Sequence, residues 1–118
     1  MSDTLAVLDQ QKGIEQVSGN VKLADDLLAM LIKELPDYKL VIEKQHREGN
    51  KEELRKIIHK IHGGLRYVGA PALEEVVSKT DYDLFALSDE QLGTNIGKIY
   101  YEIERLLEQG KYGKIPSP

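Results

Sequence analysis

The spacing of apolar residues predicts an all-α protein: an antiparallel four-helix bundle with a short extra helix at its N-terminal end. Three observations lead there. Apolar residues recur in steps of three and four along most of the 118-residue chain. The breaks between these stretches fall at glycine, proline and helix-capping residues. Strand signals are scarce, with no long apolar-polar alternation and no Asn-Gly or Asp-Gly hairpin turn.

A short helix around Asp9 to Val17 comes first and is expected to cover one end of the bundle. Gly19-Asn20 then precedes a periodic stretch running to about Arg47, with Ala24, Leu27, Leu31, Leu35, Tyr38, Ile42 and Gln45 on one face. Pro36 lies inside it, but the apolar phase is the same on both sides, which predicts one long kinked helix rather than two. Gly49 ends that helix, and Asn50 with Glu53 forms the signature of a capping box for the next. This next helix carries Leu54, Ile57, Ile58, Ile61, Leu65 and Val68, and is expected to stop at Gly69. Pro71 suits a first helical turn. The helix it opens aligns Leu73, Val76, Val77 and Thr80. Ser88 with Gln91 is a second capping-box signature, followed by Leu92, Ile96, Ile99, Ile103 and Leu106 in register and closed by Gly110. Residues 111–118 read as a poorly ordered tail. The whole chain, 1–118, is thus one domain with its bundle over about 20–109. Short loops make consecutive helices pack antiparallel.

Composition narrows the function classes. Cysteine is absent, which removes disulfides, thiolate metal sites and cysteine nucleophiles and fits a reducing, cytoplasmic setting. No apolar run approaches the roughly 20 residues of a membrane span, and the N-terminus lacks the pattern of a secretory signal. The formal charge is −4, with a pI near 5.4. That balance disfavours nucleic acid, whose phosphates need clustered Lys and Arg. No glycine loop followed by Lys-Ser or Lys-Thr marks a nucleotide phosphate site. The acidic pairs Asp25-Asp26, Glu52-Glu53, Glu74-Glu75 and Asp89-Glu90 suit outer faces or helix N-termini.

One histidine stands apart. On a helix that turns about 100° per residue, Leu54, Ile58, Ile61, Leu65 and Val68 fall within about 40° of a common core direction. His59 points about 140° away from it, toward solvent. Arg55, Lys56, His62, Gly63 and Arg66 lie on the turns just before and after it, and Gly63 is its i+4 neighbour. A glycine inside a helix costs about 1 kcal/mol relative to alanine, and here Gly63 and Gly64 stand together. Room beside the imidazole would offset that cost. A neutral imidazole is nucleophilic, and nearby cations would offset charge on a phosphoryl group carried by it. Gly64, nearer the core edge, is expected to serve helix packing.

The stretch His59 to Leu73, HKIHGGLRYVGAPAL, resembles the signature of the histidine-containing phosphotransfer family. That signature is a histidine, a variable residue, an aliphatic residue, usually a lysine, then glycine, a small residue, and a further glycine about ten positions beyond the histidine. Here these are His59, Lys60, Ile61, His62, Gly63, Gly64 and Gly69. The resemblance covers nearly the whole chain and is strongest to the C-terminal domains of BarA- and GacS-type hybrid sensor kinases. Those also tend to carry a second histidine at the place of His62, and the DLLAMLIKELPDY and RYVGAP segments are similar too.

The resemblance implies a phosphorelay intermediate of two-component signalling. His59 would accept a phosphoryl group from a receiver-domain aspartate and pass it to a response regulator. His62 would stand where the usual lysine steadies the phosphoryl group, with Arg55, Lys56 and Arg66 as further support and Gly63 giving access. The implied partners are the receivers of a hybrid sensor kinase and of a response regulator, with no nucleic acid, no membrane contact and a monomeric state. No cofactor is expected in the domain, magnesium belonging to the receivers, and no ATP site of its own. A polar residue on the following helix often reaches the histidine in this family, and Ser78, Lys79 and Asp81 lie in that region.

Two other readings compete. One is an interaction bundle without chemistry, which would lose little on His59→Gln. The other is a metal site on His59 and His62, whose spacing of three can bring two ligands together. It lacks a third ligand in the sequence: His46 lies at the far end of another helix, and the nearest carboxylates are Glu52 and Glu53. No metal site is therefore expected.

Overall fold

The computed structural model describes residues 5–113, and all its regular structure is helical. The five helices are α1 (Gln10–Gln16), α2 (Val21–Arg47), α3 (Lys51–Leu65), α4 (Pro71–Asp83) and α5 (Asp89–Gly113), with a 3₁₀ turn at Leu84–Ala86. Helix α2 packs on α3, α3 on α4, α4 on α5, and α5 back on α2, closing a four-helix ring. Helix α1 lies against α2. The molecule is a rod 44 × 25 × 22 Å, its length set by the 27 residues of α2 at about 1.5 Å each.

Of the two predicted capping boxes one forms in full and one by half, and Asp9 and Asn20 cap their helices as well. Asp9 accepts from the Lys12 N–H at 3.0 Å and Asn20 from the Leu23 N–H at 3.0 Å. Ser88 and Gln91 make the full reciprocal box: the Gln91 N–H donates to Ser88 Oγ at 3.1 Å and the Ser88 N–H to Gln91 Oε1 at 3.0 Å. Asn50 makes only half of one. Its Oδ1 accepts from the Glu53 N–H at 3.2 Å, but its own N–H donates to the Gln45 carbonyl at 2.9 Å, and Glu53 turns to Lys56. Gly49, at φ +69°, supplies the left-handed residue that reverses the chain from α2 into α3.

Helix α2 continues through Pro36, where the missing N–H leaves the Ile32 carbonyl without its helical partner. Its buried face is Ala24, Leu28, Leu31, Leu35 and Ile42. Leu27, Tyr38 and Gln45, expected there, are only partly buried, and Leu28 takes the place given to Leu27. Helix α3 ends at Leu65, four residues before Gly69. Val68 is buried nonetheless, within the turn that leads to α4. Helix α5 passes through Gly110 to Gly113, so the first residues of the expected tail are helical, while 114–118 lie outside the described residues.

The core runs the length of the rod through Leu35, Ile42, Ile58, Ile61, Val77, Ile99, Ile103 and Leu106, all with no exposed surface. Each such aliphatic side chain contributes about 1.5–3 kcal/mol by leaving water. The segment before α1 is strapped to the α3–α4 turn. The Asp9 N–H donates to the Gly69 carbonyl at 2.6 Å, and the Ala72 N–H to the Ala6 carbonyl at 3.0 Å. A Cβ on Gly69 would collide with the Asp9 carbonyl oxygen, so this glycine is required by backbone approach. The strap fixes the start of α4 relative to α3, the two helices that build the site.

Candidate functional site

Helix α3 anchors His59 from behind. Leu54, Ile58, Ile61 and Leu65 are buried in the core, which leaves His59 on the opposite side with its side chain 63% exposed. Gly63 lies one turn on, and a Cβ built there meets nothing within 4 Å. The open flank expected from the sequence is present. Gly64 behaves differently from expectation: its Cβ would lie 3.9 Å from Leu31 Cδ1, an ordinary contact, so close helix packing does not require glycine there.

Helix α4 supplies the residue that organises the site. Asp81 continues the row Leu73, Val77 at steps of four, so its carboxylate faces α3, and its side chain is only 6% exposed. His59 Nδ1 lies 2.8 Å and His62 Nδ1 2.9 Å from the same oxygen, Asp81 Oδ2. The other oxygen, Oδ1, lies 3.4 Å from Arg55 Nε and has no hydrogen-bond partner among the described residues. Ser78, the other polar candidate, bonds instead to the Glu75 carbonyl of its own helix. Burial alone would raise the Asp81 pKa. Hydrogen bonds from His62 and His59, with the charges of His59 and Arg55, outweigh it and hold the carboxyl below its usual value.

This geometry fixes the protons. An ionised carboxylate only accepts hydrogen bonds, so each neutral ring must carry its proton on Nδ1. The lone pair of His59 then sits on Nε2, across the ring from Asp81 and toward solvent. A carboxylate that orients an imidazole and sets its tautomer is a common way to prepare a ring nitrogen for chemistry.

The remaining predicted residues divide. His62 is 22% exposed at its side chain and committed to Asp81, with its ring edge-on to His59 at 6.4 Å and to Tyr82 at 6.2 Å. Arg55 reaches the site through Asp81. Lys56 is drawn away into an exposed pair with Glu53 at 2.9 Å. Arg66 is exposed at the C-cap of α3, beyond Gly63 on the same face. Asp81 was legible only as one of three candidates. The signal that singles it out is an acid at the next position of an apolar row, because a carboxylate facing a core requires partners. Among the described residues His59, His62 and Asp81 are the one group of three or more potential metal ligands. No helix among them is long and apolar enough to cross a membrane.

Comparison with known proteins gives a consistent result. The Hpt domain family matches residues 26–110. The sensor histidine kinase GacS of Pseudomonas protegens is 33% identical over 105 residues, 83% of this chain and 11% of that protein. The signal transduction histidine-protein kinase BarA of Escherichia coli K12 is 34% identical over 86 residues, 73% of this chain and 9% of that protein. The chain therefore spans about a tenth of the length of the curated relatives it matches. In fold it is similar to the crystal structure of the HPT domain from a Shewanella Hpt sensor hybrid histidine kinase. The TM-score is 0.86 at 22% identity, covering 93% of this chain and 95% of that one.

Proposed function

The chain belongs to the Hpt domain family, and on that premise we propose that it is a phosphorelay intermediate whose phosphoacceptor is Nε2 of His59. The observation that carries this reading is the pairing of His59 Nδ1 with buried Asp81, which leaves a lone pair on an exposed ring beside the bare flank of Gly63. A receiver domain phosphorylated on aspartate docks over α3 and α4. The Nε2 lone pair attacks phosphorus, the bond to the aspartyl oxygen breaks, and the released carboxylate stays with the receiver. Charge on the imidazolium is stabilised through Nδ1–H by Asp81. The reverse step delivers the phosphoryl group to the aspartate of a response regulator.

The domain holds the nucleophile rigid and leaves the remaining catalysis to its partners. It needs no nucleotide or metal of its own, and magnesium belongs to the receivers. His62 steadies Asp81 rather than the phosphoryl oxygens, and Arg55 and Arg66 supply the nearby positive charge. Tyr82 and Phe85, 84% and 60% exposed, give the docking face its apolar component. Such a domain works as a monomer in the cytoplasm.

The test is incubation with a receiver labelled by ³²P on its aspartate. The wild type should take up acid-labile, alkali-stable label, and His59→Gln should take up none. Equal labelling of both proteins would refute the assignment, and so would the absence of label in the wild type, the outcome for an interaction bundle without chemistry.

A further inference from the structure

We propose that His59, His62 and Asp81 bind one divalent first-row transition ion, such as Zn²⁺, and that an ion held there disables His59 as a nucleophile. The sequence offered two histidines and no third ligand, and the fold supplies it from α4. One ligand atom from each residue lies within 4.8 Å of the other two. Two imidazoles and a carboxylate are a ligand set that zinc takes in open sites, with solvent completing the coordination. On a tetrahedral ion with bonds of about 2.0–2.1 Å, ligand atoms stand about 3.3 Å apart. The present 2.8 and 2.9 Å between the ring nitrogens and Asp81 Oδ2 need to open by only about half an ångström.

The surroundings favour the ion. The carboxylate is buried and already aimed at both rings, so little ordering remains to be done. Among the described residues Asp81 Oδ1 is buried without a hydrogen-bond partner, with Arg55 at 3.4 Å, and is available to turn toward an ion. The His59 side chain is 63% exposed, so solvent can reach an ion held on its ring. The Arg55 guanidinium opposes a second cation and tempers the affinity. Imidazole nitrogen selects zinc, nickel or copper over magnesium, which prefers an octahedron of oxygens. The magnesium required by a receiver would therefore leave this site alone.

The consequence for His59 follows from its tautomer. An ion on Nδ1 displaces the proton there, and the neutral ring takes a proton from solvent at Nε2. No net proton is exchanged at either histidine, but the lone pair moves from the exposed nitrogen to the metal. The ring that could attack phosphorus then presents an N–H instead. This consequence rests on the relay reading above; ion binding does not.

Isothermal titration of the intact chain with Zn²⁺ should show one ion per chain. Binding should weaken about 10-fold or more in Asp81→Asn and in His62→Gln, each first shown to be folded by circular dichroism. It should be unchanged in His46→Gln, and magnesium should give no binding signal. In ¹⁵N-detected histidine spectra, zinc should move the His59 proton from Nδ1 to Nε2. No bound zinc, equal affinity in the Asp81 and His62 variants, or an unchanged His59 tautomer would overturn the proposal. If zinc binds as described and ³²P uptake persists at saturation, the blocking role falls. If label never enters even without zinc, the relay reading fails, and calorimetry still decides the ion site.

Discussion

Asp81→Asn gives the most direct test of how His59 is prepared. A hydrogen bond to a charged acceptor contributes about 1.5–3 kcal/mol when shielded. His59 is 63% exposed, so solvent screening reduces this to about 1 kcal/mol. That corresponds to about a fivefold bias toward the Nδ1–H tautomer, using about 1.4 kcal/mol per tenfold. An asparagine of the same shape keeps an acceptor but loses the charge and most of the bias. Long-range ¹H–¹⁵N spectra above the histidine titration range should show Nε2 of His59 unprotonated in the wild type and mixed in the variant. Phosphoryl uptake from a fixed concentration of labelled receiver should slow by about twofold, because only the Nδ1–H form has its lone pair outside and its share falls from about five-sixths to about half. A wild type dominated by Nε2–H, or a variant with an unchanged tautomer, would refute the reasoning.

Three further outcomes follow from the same packing and geometry. Gly63→Ala meets open space, so it should stabilise the fold by about 1 kcal/mol and raise Tm by about 4–8 °C in a thermal melt, whereas Gly63→Leu should fold but slow phosphoryl uptake by covering the flank of His59. Gly69→Ala drives a methyl group against the Asp9 carbonyl and should lower stability by about 1–3 kcal/mol in urea titration, with wild-type stability refuting the strap. The Asp81 carboxyl has a folded pKa below its unfolded value, so its contribution to stability is complete above about pH 4 and is lost as pH falls toward the folded value. Urea midpoints measured from pH 5 downward should fall more steeply for the wild type than for Asp81→Asn.

The fold was legible because its determinants are local. Steps of three and four among Leu31, Leu35, Ile42, Ile58, Ile61, Ile99 and Ile103 place these residues inward on whatever helix carries them, and all are buried. Capping residues at Asp9, Asn20, Asn50 and Ser88 mark the helix starts because each satisfies an orphan N–H within three residues. Helix ends were harder to read. Val68 keeps the apolar phase after α3 has ended, and Gly110 is accommodated inside α5, because burial and helical hydrogen bonding are separate conditions. The role of Gly69 was out of reach, since it depends on contact with Asp9, sixty residues earlier in the chain.

The site shows the same division more sharply. The outward direction of His59 and the bareness at Gly63 follow from one helix, and both were legible. Asp81 acts across two helices, so its partner could not be read from either one. Its position still carries information, because a carboxylate in line with Leu73 and Val77 opposes the burial that shapes α4. Burying that charge is offset only if donors converge on it, and the nearest elements able to supply them are the polar side chains of α3. Arg55, His59 and His62 recur there at steps of four and three, the spacing that turns all three toward one point on the neighbouring helix. The basic stripe of α3 and the misplaced acid of α4 are therefore two halves of one feature. The exposed histidine belongs to a proton-ordering network anchored in the core, and its outer nitrogen is left free because its inner one is already engaged.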